Sequence, residues 1–166
     1  MQSDYAHDVL FVGGAEPDWA VFMREFMRHG SPVLLAGASV SGLPSLRMGI
    51  KPPEIVRALT AAAKVNLCLV RRANRDGHVM RSFEIGAIGG CMLAQDTDEH
   101  RDILGRDGEA VIYFRDAKEA AQRARALLCD SSERKRLAVH LQRRIAGGAH
   151  TYAHRLSTML RIVSSR

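Results

Sequence analysis

The sequence predicts an α/β protein: a parallel sheet of about five strands with helices on both faces and further helices at the C-terminus. Two observations carry this expectation. Short apolar runs recur at residues 7–14, 32–37, 64–70, 91–94 and 109–114, and strands buried on both faces read this way. Longer stretches with apolar residues at three- and four-residue spacing separate most of them, as amphipathic helices do. Alternation of the two joins the strands by helical crossovers, which gives parallel pairing.

The elements follow in order. "HDVLFVGG" is a buried strand feeding a tight loop through Gly13 and Gly14. In "PDWAVFMREFMRHG", Pro17 suits a first helical turn. Trp19, Phe22, Met23, Phe26 and Met27 share one face, and Gly30 ends the helix. "PVLLAG" is the second strand. A loop over residues 38–51 leads to a helix over 53–63, and "KVNLCLV" is the third strand. A polar loop, 71–78, opens a helix over about 80–88. That helix breaks at Gly89-Gly90 and gives way to the strand "CMLA". "EAVIYF" is the fifth strand. Asp116, with Glu119 three residues on, has the spacing of a capping box. It starts a helix with Ala117, Ala120, Ala121, Ala124, Leu127 and Leu128 on one face. Two last helices, about 132–146 and 151–163, are separated by Gly147-Gly148, with Ser132 and Thr151 as caps. Residues 1–166 form one domain without internal repeats.

Composition narrows the function. Aromatic residues at 5% are too few for a base-stacking platform. The net charge of +6 favours anionic partners, and much of the excess sits in "ERKRLAVHLQRR", which reads as a solvated helix face. Cys68, Cys91 and Cys129 form no CxxC or His-Cys cluster. They read as reduced core residues of a cytoplasmic protein, with no metal site. No apolar run approaches the ~20 residues of a membrane helix, and the N-terminus is polar rather than signal-like.

Parallel sheets bind ligands beyond the carboxyl ends of their strands, so the loops at 13–18, 37–51, 71–78 and 95–100 are the candidates. Gly13 and Gly14 would let a ligand approach the backbone, or would simply make a turn; neither GxGxxG nor GxxxxGK[ST] occurs. The loop "NRDGH" delivers the chain to a helix N-terminus near residues 78–80, where free amides and the positive dipole end favour phosphate. Arg81 stands in that first turn, against the dipole, and Glu84 follows on the same face. Two readings stay open. One is an Arg81–Glu84 ion pair on an exposed face. The other is phosphate at the helix tip with a ribose diol on Glu84, the layout of a nucleoside diphosphate.

The blocks "NRDGHVMRSFEIGAIGGCMLAQDTDEHRDIL", "GEAVIYFRDAKEAAQRARALL", "SSERKRLAVHLQRRI" and "HTYAHRLSTML" resemble the C-terminal half of glycosyltransferases of the B-type fold. Within the group 1 transferases the nearest group is the one named for the CgeB spore-maturation protein. The family pattern R-x-FE-x-x-A-x-G-G falls on Arg81, Phe83, Glu84, Ala87, Gly89 and Gly90. Its later G-x-E-x-x-x-F and D-x-x-E blocks match Gly108, Glu109, Phe114, Asp116 and Glu119.

The resemblance implies a Rossmann-like domain that binds a nucleoside-diphosphate sugar as substrate, without a metal, for hexosyl transfer of the retaining kind. Glu84 would hold the ribose, Arg81 and the helix tip would sit near the diphosphate, and Gly13 and Gly14 would line the cleft. Asp76, eight residues before Glu84, stands where related retaining transferases carry an acidic contact to the donor sugar. The family often places Arg or Lys just after the first strand. Here no cation follows until Arg24, which leaves Arg81 and Arg71, Arg72 or Arg75 to face the diphosphate. The last helix would be a back helix docking Tyr152, Leu156, Met159, Leu160 and Val163, with His150 and His154 as capping or surface residues. A complete enzyme has two such halves, so the acceptor half would lie elsewhere in the native chain or in a separate subunit. The alternatives are a non-catalytic nucleotide-binding module and a basic nucleic-acid-binding domain, which predicts steeply salt-dependent binding.

Overall fold

The computed structural model describes residues 8–14, 17–29, 33–37, 47–48, 52–71 and 76–164. The five expected strands are β1 (Val9–Gly13), β2 (Val33–Gly37), β4 (Val65–Cys68), β5 (Met92–Gln95) and β6 (Ile112–Phe114). A sixth, the two-residue β3 (Arg47–Met48), lies inside the expected 38–51 loop. The helices are α1 (Pro17–Arg28), α2 (Pro53–Ala62), α3 (Met80–Ile88), α4 (Asp98–Leu104), α5 (Ala117–Cys129), α6 (Ser131–Gly147) and α7 (Tyr152–Ser164).

All strand pairs are parallel, in the order β3-β2-β1-β4-β5-β6. The chain winds outward from β1 in one direction, then returns to β4 and winds in the other. The switch point is therefore the β1–β4 pair, registered Val9 to Val65 and Phe11 to Leu67. Alternation along the strands divides the core into two layers. Val9, Phe11, Val65, Leu67 and Leu93 meet Trp19, Met23 and Phe26 of α1 and the alanine face of α5. Cys68, Met92 and Ala94 turn the other way, to Ile85 of α3 and Leu141 and Ile145 of α6, while Leu10 and Leu34 meet Leu59 of α2.

Gly37, with φ +135, ends β2 where an added Cβ would lie 2.0 Å from the Gly13 carbonyl oxygen, so only glycine closes the β1–β2 end. Gly89, with φ +86, closes α3 by donating to the Ile85 and Gly86 carbonyls.

Several expectations are corrected. Helix α4 was not foreseen: Thr97 Oγ1 caps it by accepting from the His100 amide at 3.1 Å, but its seven residues are mostly polar and show no apolar period. The cap of α6 is Asp130, accepting from the Glu133 amide at 2.9 Å, rather than Ser132, which lies inside the helix. The α5 and α7 caps do fall on Asp116 and Thr151. Cys129 is exposed at the end of α5, whereas Cys68 and Cys91 are buried. The basic run of α6 is the solvated face expected, with Lys135, Arg136, His140, Arg143 and Arg144 exposed, and three of these side chains also reach carbonyls of the neighbouring turns. Arg136 donates to Gly108 O at 2.6 Å, His140 Nδ1 to Glu109 O at 3.0 Å and Arg144 to Leu104 O at 3.0 Å. The face of α7 is not docked: every side chain from Tyr152 to Ser164 is exposed. Among the described residues no helix is long and apolar enough to cross a membrane.

Candidate functional site

A cleft of about 500 Å³ opens over the carboxyl ends of β1 and β4, at the switch point. Gly13 and Trp19 form one wall, Cys68, Leu69 and Arg71 the floor and rim. Asp76, His78, Val79 and Met80 arrive from the loop before α3, and Arg81 and Glu84 from α3 itself.

Trp19 is fixed by its Nε1, which donates to Val70 O at 3.2 Å, and by the Phe11 ring, edge-on at 5.2 Å. Arg71 lies over its indole, 6.0 Å from the ring centroid. The tip of α3 has Val79 as N-cap, a residue whose side chain accepts no hydrogen bond. Ser82 Oγ receives the Val79 amide at 3.5 Å, and no acidic residue occupies the first turn, so the positive end of the helix faces the cleft without a carboxylate of its own.

Ser82 also locks this tip from behind. Its Oγ is 2.8 Å from His100 Nε2 and 3.5 Å from Cys68 Sγ, all buried. Burial pushes the Cys68 thiol up to about 11, so a thiol at the cleft floor is protonated and offers no nucleophile at neutral pH.

Arg81 and Glu84 do form the ion pair, Nη1 to Oε2 at 2.7 Å, but not as an exposed pair: Arg81 is 13% exposed and Glu84 51%. The other terminal nitrogen of Arg81 bonds Thr60 Oγ1 on α2. Arg81 thus ties two helices together and orients the Glu84 carboxylate. Among the described residues Glu84 Oε1 makes no hydrogen bond, which leaves it available to a diol.

Gly13, Asp76, Arg81 and Glu84 therefore share one cleft. Gly14 lies in an adjoining crevice with Met23 and Leu35. Arg72 and Arg75 fall outside the described residues. His154 donates its amide to Thr151, and the His150 ring packs against Phe83 at 5.1 Å. Trp19, His78 and Arg155 of α7 line the cleft without having been singled out. Trp19 carried a signal, as the lone tryptophan just after the first-strand glycines; Arg155 carried none. Among the described residues no group of His, Cys, Asp and Glu is arranged to hold a metal ion.

A doubly wound parallel sheet with its cleft at the switch point defines a Rossmann-like ligand-binding domain. The chain belongs to the glycosyl transferase-like family, whose pattern matches residues 21–161. Solved structures share the fold at low identity. Anabaena HepE in complex with UDP-glucose superposes with a TM-score of 0.76 at 11% identity, over 96% of this chain and 49% of that one. Sucrose-phosphate synthase from Thermosynechococcus elongatus gives 0.76 at 14% identity, over 97% and 46%. T4 phage BGT in complex with its UDP-glucose substrate gives 0.65 at 17% identity, over 89% and 46%. The chain thus spans about half the length of these structures. No curated protein matches the sequence significantly.

Proposed function

We propose that this chain is the donor-binding, C-terminal half of a B-type glycosyltransferase of the group 1, CgeB-like kind, taking a nucleoside-diphosphate hexose without a metal. The observation that carries the reading is Glu84: a half-exposed carboxylate on the cleft wall, one oxygen held by Arg81 at 2.7 Å and the other open, one turn from an uncapped helix tip. Ribose hydroxyls on Glu84 and diphosphate at the tip, beside Arg81 and Arg71, fit that order. Asp76 is assigned the donor sugar, with the retaining outcome, and Gly13 the close approach of the ligand to the backbone. Gly14, in its adjoining crevice, is assigned the edge of the same site. HepE and T4 phage BGT, both solved with UDP-glucose, support a nucleotide sugar as ligand. The acceptor half would be supplied by the same native chain or by a separate subunit.

Calorimetric titration with UDP, GDP and dTDP tests the reading. Glu84→Ala removes two charge-assisted hydrogen bonds of about 1.5–3 kcal/mol each, so affinity should fall more than about a hundredfold. The fold should persist, because Glu84 is half exposed. Unchanged affinity would sink the ribose assignment. Arg81→Ala should weaken diphosphates more than the nucleoside; an equal loss would make Arg81 solely the residue that orients Glu84.

A further inference from the structure

The donor reading raises an electrostatic question. A nucleoside diphosphate brings at least two negative charges, and the described charged side chains of the cleft from β4 to α3 nearly cancel: Arg71 and Arg81 against Asp76 and Glu84. Arg81 is further engaged, by Glu84 on one terminal nitrogen and Thr60 on the other. The first-strand loop adds no cation, since Arg24 turns its Nε back to Ala20 O on its own helix.

Among the described residues that line the cleft, the remaining cation is Arg155, near the start of α7 and the residue through which α7 lines the cleft. Its amide donates to Thr151 O at 3.1 Å. Among the described residues its guanidinium makes no hydrogen bond or ion pair. Its position is built rather than accidental. The His150 ring packs on Phe83, the residue before Glu84 in α3, and His78 packs edge-on against Phe83 at 5.6 Å. That three-ring cluster plants the start of α7 beside the α3 tip. Thr151 Oγ1, accepting from the His154 amide, then opens the helix that carries Arg155 over the cleft.

We infer that Arg155 binds the diphosphate of the donor, supplying from the last helix the cation that the first-strand loop lacks. This rests on the donor reading of the cleft. A guanidinium free of carboxylates suits the task, because its donors form paired hydrogen bonds with phosphate oxygens and lose no ion pair in doing so.

The test uses the full chain titrated with UDP, GDP and dTDP and with the matching nucleosides, for the wild type, Arg155→Gln, Arg155→Lys and, on another face of α7, Arg161→Gln. The expected result is diphosphate affinity about tenfold lower in Arg155→Gln, the order of a lost charged hydrogen bond. Nucleoside affinity should be unchanged, Lys should restore much of the loss, and Arg161→Gln should match the wild type. A wild type that binds none of the diphosphates would overturn the donor reading itself. A wild type that binds, with Arg155→Gln equal to it, would overturn the Arg155 assignment alone. So would a loss shared equally by nucleoside and diphosphate, or equally by Arg161→Gln.

Discussion

His100 is fully buried, and its two ring nitrogens settle its state. Nδ1 lies 2.7 Å from Gln95 O and must donate; Nε2 then accepts from the Ser82 hydroxyl at 2.8 Å. Burial, with the nearby His78, holds its pKa below the ordinary 6.5, against the raising effects of the Gln95 carbonyl, Glu99 and Asp96. The unfolded chain therefore takes up the proton first. Stability from this residue is complete above about pH 6.5 and declines as the pH falls below it. Melting temperature against pH should show that decline in the wild type, and His100→Gln should flatten it; parallel curves would mean that His100 is hydrated in solution. Cysteine chemistry gives a second expectation. Burial raises Cys68 to about 11 and Cys91 to about 12, while Cys129 is exposed. A thiol reagent at pH 8 should label the native chain at Cys129 alone and label all three cysteines in denaturant. Comparable native labelling of Cys68 would contradict the closed packing of Ser82 and His100 above it.

Periodicity reveals that an element has an apolar face, not what covers that face, and α7 shows the difference. Tyr152, Leu156, Met159, Leu160 and Val163 share a stripe that reads as a docked back helix, yet each is more than half exposed. Ending the chain after His150 keeps the Phe83 contact and removes no buried side chain among the described residues. The melting temperature should stay within about 2 °C of the intact chain, the scale of surface changes in a domain this size, while diphosphate affinity falls with Arg155. A larger drop in melting temperature would show α7 docked in solution. The strands and the larger helices were legible because their patterns are local: period two hidden under continuous burial in β1 and β4, and period near 3.6 in α1 and α5. Helix α4 was not, since "DEHRDIL" is short and mostly polar: beyond its Thr97 cap and the Asp96–Arg101 pair at 2.6 Å it buries His100 and Leu104, too few positions to show a period. Strand β3 is two residues that exist by pairing with Leu35 and Ala36, a partner no local window contains. At the site, Asp76, Arg81 and Glu84 were legible together because they fall within nine consecutive residues. Gly13 joined them through the β1–β4 pairing, and Arg155 through the contact of His150 with Phe83, more than sixty residues apart in sequence.

At the scale of the whole molecule, the winding order gathers the proposed donor contacts at one cleft, and the proposed reading assigns the acceptor to a second half. The sheet switches direction between β1 and β4, so the cleft collects one loop from each winding and closes against α3. The relatives by fold are about twice as long: the chain covers 49% of HepE and 46% of T4 phage BGT. Binding and turnover should therefore separate. On the proposed reading, donor affinity depends on Glu84, the α3 tip and the surrounding cations, so this chain alone should bind nucleoside diphosphates. Sugar transfer also needs an acceptor hydroxyl held roughly 3–3.5 Å from the anomeric carbon, with bulk water excluded, an arrangement worth many orders of magnitude in rate. The proposed reading assigns that task to the acceptor half. The outcome expected on that reading is that this chain binds without transferring, and that a chain carrying both halves, or this chain mixed with an acceptor half, transfers from the donor this chain prefers and loses activity with Glu84→Ala. Full transfer by this chain alone would refute the two-half arrangement. Binding that never becomes transfer with the acceptor half present would leave a nucleotide-binding module in place of an enzyme half.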